Sequence, residues 1–174
     1  MSQTRRDFLA GTALAAAALP AAPAAFATTG ELPPDDDFQF EVQRSDEEWR
    51  SMLTRNEYVV LRKGSTDLPK SNPLWEEKRE GEYYCRGCNL HLYTSFWKEH
   101  LDMGWVFFQQ SVPNAVLMGI DGKNPYGSMS DAPGALVEAH CRRCGSHLGH
   151  VVSVKGHTLS CINGTSLVFR PATA

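Results

Sequence analysis

The chain has 174 residues, 42% of them hydrophobic and 21% charged, which is enough for one domain with a sizeable core and too few for two well-packed ones. Its formal charge of −3 with neutral histidine excludes a nucleic-acid binder that works through a basic face. Five cysteines in a chain of this size raise the question of metal, disulfide or thiol chemistry.

Residues 1–27 read as a twin-arginine signal peptide. Arg5-Arg6 lies in the charged n-region, Gly11 to Pro20 is a short Ala/Leu-rich stretch, and Ala25-Phe26-Ala27 offers a small-x-small cleavage site. The apolar stretch falls short of the roughly 20 residues of a membrane span and is interrupted by Pro20 and Pro23. The expectation is therefore a periplasmic or otherwise exported protein with no stable membrane insertion after cleavage. Losing Arg5, Arg6 and Asp7 with the leader makes the remainder one unit more negative.

Residues 28–44, with Pro33-Pro34 and Asp35-Asp36-Asp37, read as a flexible tether. Ser45 followed by Glu48, ahead of Trp49, Met52 and Leu53, forms a capping box that opens a short amphipathic helix. Glu57 to Arg62 is expected to be a short strand or extended segment. From Tyr83 onward come short runs rich in β-branched and aromatic residues: Leu90–Tyr93, Trp105–Gln109, Val116–Ile120, Ala135–Ala139, His150–Val154 and Ser166–Phe169. Gly, Pro, Asn and Asp separate them, and the pattern predicts a mainly β domain with short helices at its front.

Cys85-Arg86-Gly87-Cys88 and Cys141-Arg142-Arg143-Cys144 are two Cys-x-x-Cys knuckles. In each, two intervening residues let the chain turn both sulfurs toward one point, and two such turns supply the four-sulfur tetrahedron that suits zinc. The long spacing between Cys88 and Cys141 implies a domain-sized insertion. The rival readings are redox dithiols, structural disulfides in an oxidising compartment, and buried small apolar residues. Structural Zn2+ on Cys85, Cys88, Cys141 and Cys144 is the preferred one; a closed four-thiolate site has no open position for chemistry.

Cys161 is left outside the pairs, and a lone cysteine is either a buried apolar residue or a reactive thiol. His147 and His150 lie upstream, and Asn163 follows two positions on, the spacing that places it on the same strand face as Cys161. Histidine beside a thiol can lower its pKa and later deliver a proton.

Together these motifs resemble the peptide methionine-(R)-sulfoxide reductases, the B-type family. The residues that carry the likeness are Cys85-x-x-Cys88 with Leu92-Tyr93-x-Ser95, Gly104-Trp105, Cys141-x-x-Cys144 leading into His147-Leu148-Gly149-His150-Val151, and Cys161-Ile162-Asn163 with Leu167-x-Phe169. Tyr58–Arg62 and Gly64-Ser65-Thr66-Asp67-x-Pro69 add to it, and the resemblance spans residues 45–171. It implies two antiparallel sheets in an open, barrel-like arrangement with a zinc site, in one catalytic domain over residues 45–171. It also implies that Cys161 attacks methionine sulfoxide in oxidised proteins or peptides, releases methionine and becomes a sulfenic acid. His147 and His150 would orient and protonate the oxygen, Asn163 would hold the polar side of the pocket, and Trp105 and Phe108 would line the substrate's side. A solvent-reachable pocket at Cys161 is expected.

The chain departs from the family pattern in four places. Val106-Phe107-Phe108 follows Trp105 where the family has Pro-Ser-Phe; Leu159-Ser160 precedes Cys161 where an arginine and an aromatic residue are usual. Met103 occupies the position of a second, resolving cysteine, so recycling is expected from an external reductant, either thioredoxin-like or a small thiol. Gly164-Thr165 replaces Ser-Ala after Asn163. A monomer is expected. The alternative functions are a non-catalytic zinc-pinned β-domain that binds a small ligand or protein partner, and a thiol reductase acting on a different oxidised substrate.

Overall fold

The computed structural model describes residues 38–121 and 136–173; the signal peptide and most of the tether lie outside the described residues. The unit Gln39–Ala174 carries every element below.

Two helices come first, α1 (Asp46–Met52) and α2 (Arg55–Lys63). Ser45 and Glu48 form the expected capping box, each satisfying a backbone N–H of the other. The segment expected to be extended at Glu57 to Arg62 is instead helical. Thr54 and Glu57 build a second capping box, and Gly64 ends the helix in the left-handed conformation. Within the segment read as a tether, the Val42 N–H donates to the Arg143 carbonyl at 2.9 Å.

Among the described residues nine strands follow, in two antiparallel sheets. The smaller sheet has the order β2 (His91–Thr94), β1 (Gly81–Cys85), β9 (Leu167–Pro171). The larger runs β3 (Lys98–Glu99), β4 (Val106–Phe108), β8 (His157–Ile162), β7 (His147–Val154), β6 (Leu136–Cys141), β5 (Val116–Asp121). Neither sheet closes, so the fold is mainly β with short N-terminal helices, as the sequence implied. Among the described residues no helix is long and apolar enough to cross a membrane.

The centre of the six-stranded sheet is buried on both faces, whereas Met118 and Ile120 on its edge strand β5 are exposed, and this divides the buried apolar residues into two groups. One face, with the helices and the small sheet, encloses the main core, where Phe108 stacks on Tyr93 at 4.3 Å and meets Tyr83 edge-on at 5.0 Å. The other face carries a smaller cluster of Trp105, Phe107, Val152, Leu159 and Cys161. Alternation along β4 sends Val106 and Phe108 to the first and Trp105 and Phe107 to the second.

Two backbone features fix how β7 meets β8. The hairpin turns through Lys155-Gly156, both with positive φ, as a two-residue hairpin turn of the right twist requires. This sets Val154 against His157 and, down the ladder, His150 against Cys161. Further along, Gly149 has φ +153, and a Cβ there would sit 2.1 Å from the Cys161 carbonyl oxygen. Only glycine lets the strands approach this closely. Gly149→Ala should therefore cost about 2 kcal/mol or more, read as a lower urea midpoint at unchanged m. Gly156→Ala meets no atom within 4 Å and should cost only about 1 kcal/mol from its φ.

Candidate active site

One row of residues across the large sheet organises the site. Phe107 on β4 stands directly opposite Cys161 on β8, Cys161 opposite His150 on β7, and His150 opposite Glu138 on β6. Directly paired residues share a sheet face, and neighbouring strands lie about 4.8 Å apart. An aromatic wall, a thiol, an imidazole and a carboxylate thus stand side by side.

His147, three residues from His150, would point to the other face of a regular strand. The β6–β7 ladder slips between Ala139 and His140, where β7 carries one extra residue, and the bulge sets His147 opposite His140. The His147 and His150 rings are 5.4 Å apart, centre to centre, and those of His140 and His147 6.2 Å. Glu138 takes His147 Nδ1 on one carboxylate oxygen and His140 Nε2 at 3.1 Å on the other. Burial lowers the pKa of His147, against the opposing pull of Glu138. A neutral ring with Nδ1–H aimed at the carboxylate leaves Nε2 as a bare acceptor. That nitrogen is buried and has no hydrogen-bond partner among the described residues.

Asn163 does not continue the strand as its spacing suggested, since β8 ends at Ile162. Its Oδ1 accepts the Asp67 N–H at 2.9 Å, and its buried Nδ2 has no hydrogen-bond partner among the described residues. Asp67 also accepts the Thr165 N–H on Oδ2 and the Trp105 indole N–H on its carbonyl, both at 2.9 Å. One buried residue thus ties the loop after α2 to the turn after Cys161 and to the indole beside the thiol.

The structure brings Cys161, His147, His150 and Trp105 to one face and joins Asn163 to Trp105 through Asp67. Phe108 is not brought to Cys161; it lies in the main core, and Phe107 faces the thiol in its place. Cys161 has no disulfide, but it keeps only 7% of its surface exposed, so the expected solvent-reachable thiol is free yet buried. Glu138 and Asp67 are the residues that sequence reading missed. A single acid inside the otherwise apolar run Ala135–Ala139 was the signal for the first.

The other four cysteines lie apart, in the main core. Their ligand atoms all fall within 4.8 Å of one another, with Cys85 and Cys144 sulfurs 3.7 Å apart and Cys88 and Cys141 3.5 Å. These separations are far beyond a disulfide bond and close to the tetrahedral edge of about 3.8 Å that Zn–S bonds of about 2.3 Å would give. The two turns match: the N–H of Asn89 donates to the Cys85 carbonyl and that of Gly145 to the Cys141 carbonyl, each at 2.8 Å, and both residues have positive φ. Because one turn ends β1 and the other ends β6, a metal here would join the two sheets.

A free thiol facing imidazole and aromatic walls thus stands on a β domain whose two sheets meet at a four-cysteine cluster able to hold a metal ion. The SelR domain model matches residues 53–171. Similar curated relatives are peptide methionine sulfoxide reductase B3 of Arabidopsis thaliana, 34% identical over 76% of this chain and 73% of that one, and peptide methionine sulfoxide reductase MsrB of Leifsonia xyli subsp. xyli, 36% identical over 76% and 94%. MsrB of Agrobacterium fabrum is 34% identical over 75% and 93%. The chain belongs to the SelR family, the B-type methionine sulfoxide reductases. Among solved structures, the "Yippee-like" domain of Mis18 shares 14% identity, with a TM-score of 0.46 over 55% of this chain and all of that one.

Burial among apolar neighbours pushes the Cys161 thiol up to about 12. The arginine usual in the family would stand at position 159, two residues along the same face, where this chain has buried Leu159. Alkylation of Cys161 by iodoacetamide, followed by peptide mass mapping, should therefore rise about tenfold per pH unit from pH 7 and show no plateau by about pH 10. Leu159→Arg should bring the plateau below that of wild type. The same shift has a sign for stability: the folded thiol stays protonated where the unfolded one ionises, so its contribution is intact below about pH 9 and is lost as pH rises toward 12.

Proposed function

We propose that this chain reduces the R epimer of methionine sulfoxide in oxidised proteins and peptides, with Cys161 as nucleophile. The observation that carries the reading is the row Phe107–Cys161–His150–Glu138, which sets a disulfide-free thiol beside imidazole in a member of a sulfoxide-reducing family. Phe107 and the indole of Trp105 form the apolar wall that suits the substrate's S-methyl group.

Cys161 is protonated at rest, so the first task is to move its proton. The imidazole row accepts it, with Glu138 stabilising the positive charge that forms on His147. The sulfur of Cys161 then attacks the sulfoxide sulfur, and the proton passes to the sulfoxide oxygen, because that oxygen departs only when protonated. The S–O bond to the substrate breaks and one to Cys161 forms. Methionine leaves reduced and Cys161 is oxidised to the sulfenic acid. The Asn163 amide, fixed by Asp67, supplies a donor for the oxygen in transit.

Two external thiols then restore the resting state, giving a disulfide and water. Met103, which packs against the thiol cluster, cannot act as a resolving residue, and the other four cysteines are committed to the metal cluster. A thioredoxin-like protein or a small thiol fits this need. The chain is read as a monomer, exported through its twin-arginine leader.

With dithiothreitol as reductant, wild type should turn over the R epimer and leave the S epimer untouched, as followed by chromatography of methionine. Cys161→Ser should lower kcat/KM about a thousandfold or more. Turnover of neither epimer by wild type would sink the reading.

The four-cysteine site is proposed to hold one structural Zn2+, bound by Cys85, Cys88, Cys141 and Cys144. Cys141→Ser should lose the metal and lower the melting temperature by 10 °C or more on the order of the binding energy involved, while Cys161→Ser retains one equivalent of zinc by elemental analysis.

A further inference from the structure

The face that carries Cys161 continues past the thiol. Along β8, Leu159 and His157 follow Cys161 at every second residue, and along β7 Val152 and Val154 follow His150. This stripe leads into a cleft of about 440 Å³ at the turn end of the β7–β8 hairpin. Leu101, Val154 and Leu159 give it apolar walls, and Glu99, Lys155 and His157 lie around it.

The cleft adjoins the cluster around Cys161. Leu159 belongs both to its lining and to the cluster around Cys161, and Leu101 and Val154 pack against that same cluster. Its position sets its reach. Strand residues two apart are about 7 Å apart, so the cleft lies about 7 to 13 Å from Cys161 along the sheet. An extended polypeptide advances about 3.3 Å per residue. A substrate whose sulfoxide sits at Cys161 therefore brings a side chain about two to four residues away into this space, whereas free methionine sulfoxide leaves it unused.

We propose that the Leu101/Val154/Leu159 cleft is a subsite for an apolar side chain flanking methionine sulfoxide in an extended polypeptide, so that this chain selects oxidised methionine next to apolar sequence. The inference rests on the sulfoxide reductase reading of the same face and deepens it. Burial of one leucine-sized side chain against these walls is the source of the selectivity, and it acts through binding rather than through the chemical step.

The test compares kcat/KM for N-acetyl-methionine-(R)-sulfoxide methyl amide with that for blocked hexapeptides carrying leucine or serine two, three or four residues from the sulfoxide, on either side. Leucine at one of these positions should exceed serine about tenfold, through KM. Val154→Asp should bring that ratio to about one, and Leu101→Asn should reduce it; a retained equivalent of zinc shows that each variant is folded. A leucine-to-serine ratio near one at every position in wild type, or one that survives in Val154→Asp, overturns the subsite while the blocked amino acid is still reduced. Failure to reduce the blocked amino acid as well removes the catalytic reading and the subsite with it.

Discussion

The pairing of β7 with β8 is the constraint on which the rest of the molecule depends. A two-residue turn at Lys155-Gly156 sets the register, and the missing side chain of Gly149 lets the two backbones close to the distance at which His150 faces Cys161. A slip of one residue would turn the thiol into the main core and leave the imidazoles on the opposite face. Few other single features of the fold have so much consequence for chemistry. The bulge that follows on β7 works in the same direction, bringing His147 round to the face that His150 already occupies.

That arrangement joins two tasks that pull against each other. Burial shields the thiol and pushes its pKa up, which makes it a poor nucleophile until a proton acceptor takes its hydrogen. In the proposed mechanism Glu138 and the two histidines supply the acceptor, and the carboxylate is itself shared between His140 and His147. Where related chains place a cation near the sulfur, this one places Leu159, and the same leucine lines the adjoining apolar cleft. Loss of electrostatic activation and gain of apolar surface are thus one substitution seen from two sides.

The four-cysteine cluster and Asp67 hold this arrangement from outside it. The cluster bridges the end of the small sheet and the end of β6, next to the bulge, so the two cysteine turns anchor the start of the strand that carries His147 and His150. Asp67, through three hydrogen bonds, fixes the turn after Cys161 to the indole at its side. Neither touches the reacting sulfur, and each limits how far the groups that do can drift.

The sequence by itself determined the residue types of the chemistry, the knuckles, the capping box at Ser45 and most of the strands, because these are local: a spacing of two residues, a cap three residues from its partner, a run of β-branched side chains between turns. It missed the second capping box, so α2 read as extended. Only the tertiary structure decided which side chains meet. Trp105 and Phe108 are three apart on a strand and so face opposite ways, which puts Phe107 at the thiol. His147 and His150 are also three apart, yet share a face, because a bulge in the ladder adds a residue. Glu138 and Asp67 reach the site from strands and loops far away in the chain. Parity along one strand can be counted in a sequence; a bulge, a register and a partner strand exist only once the sheet has formed.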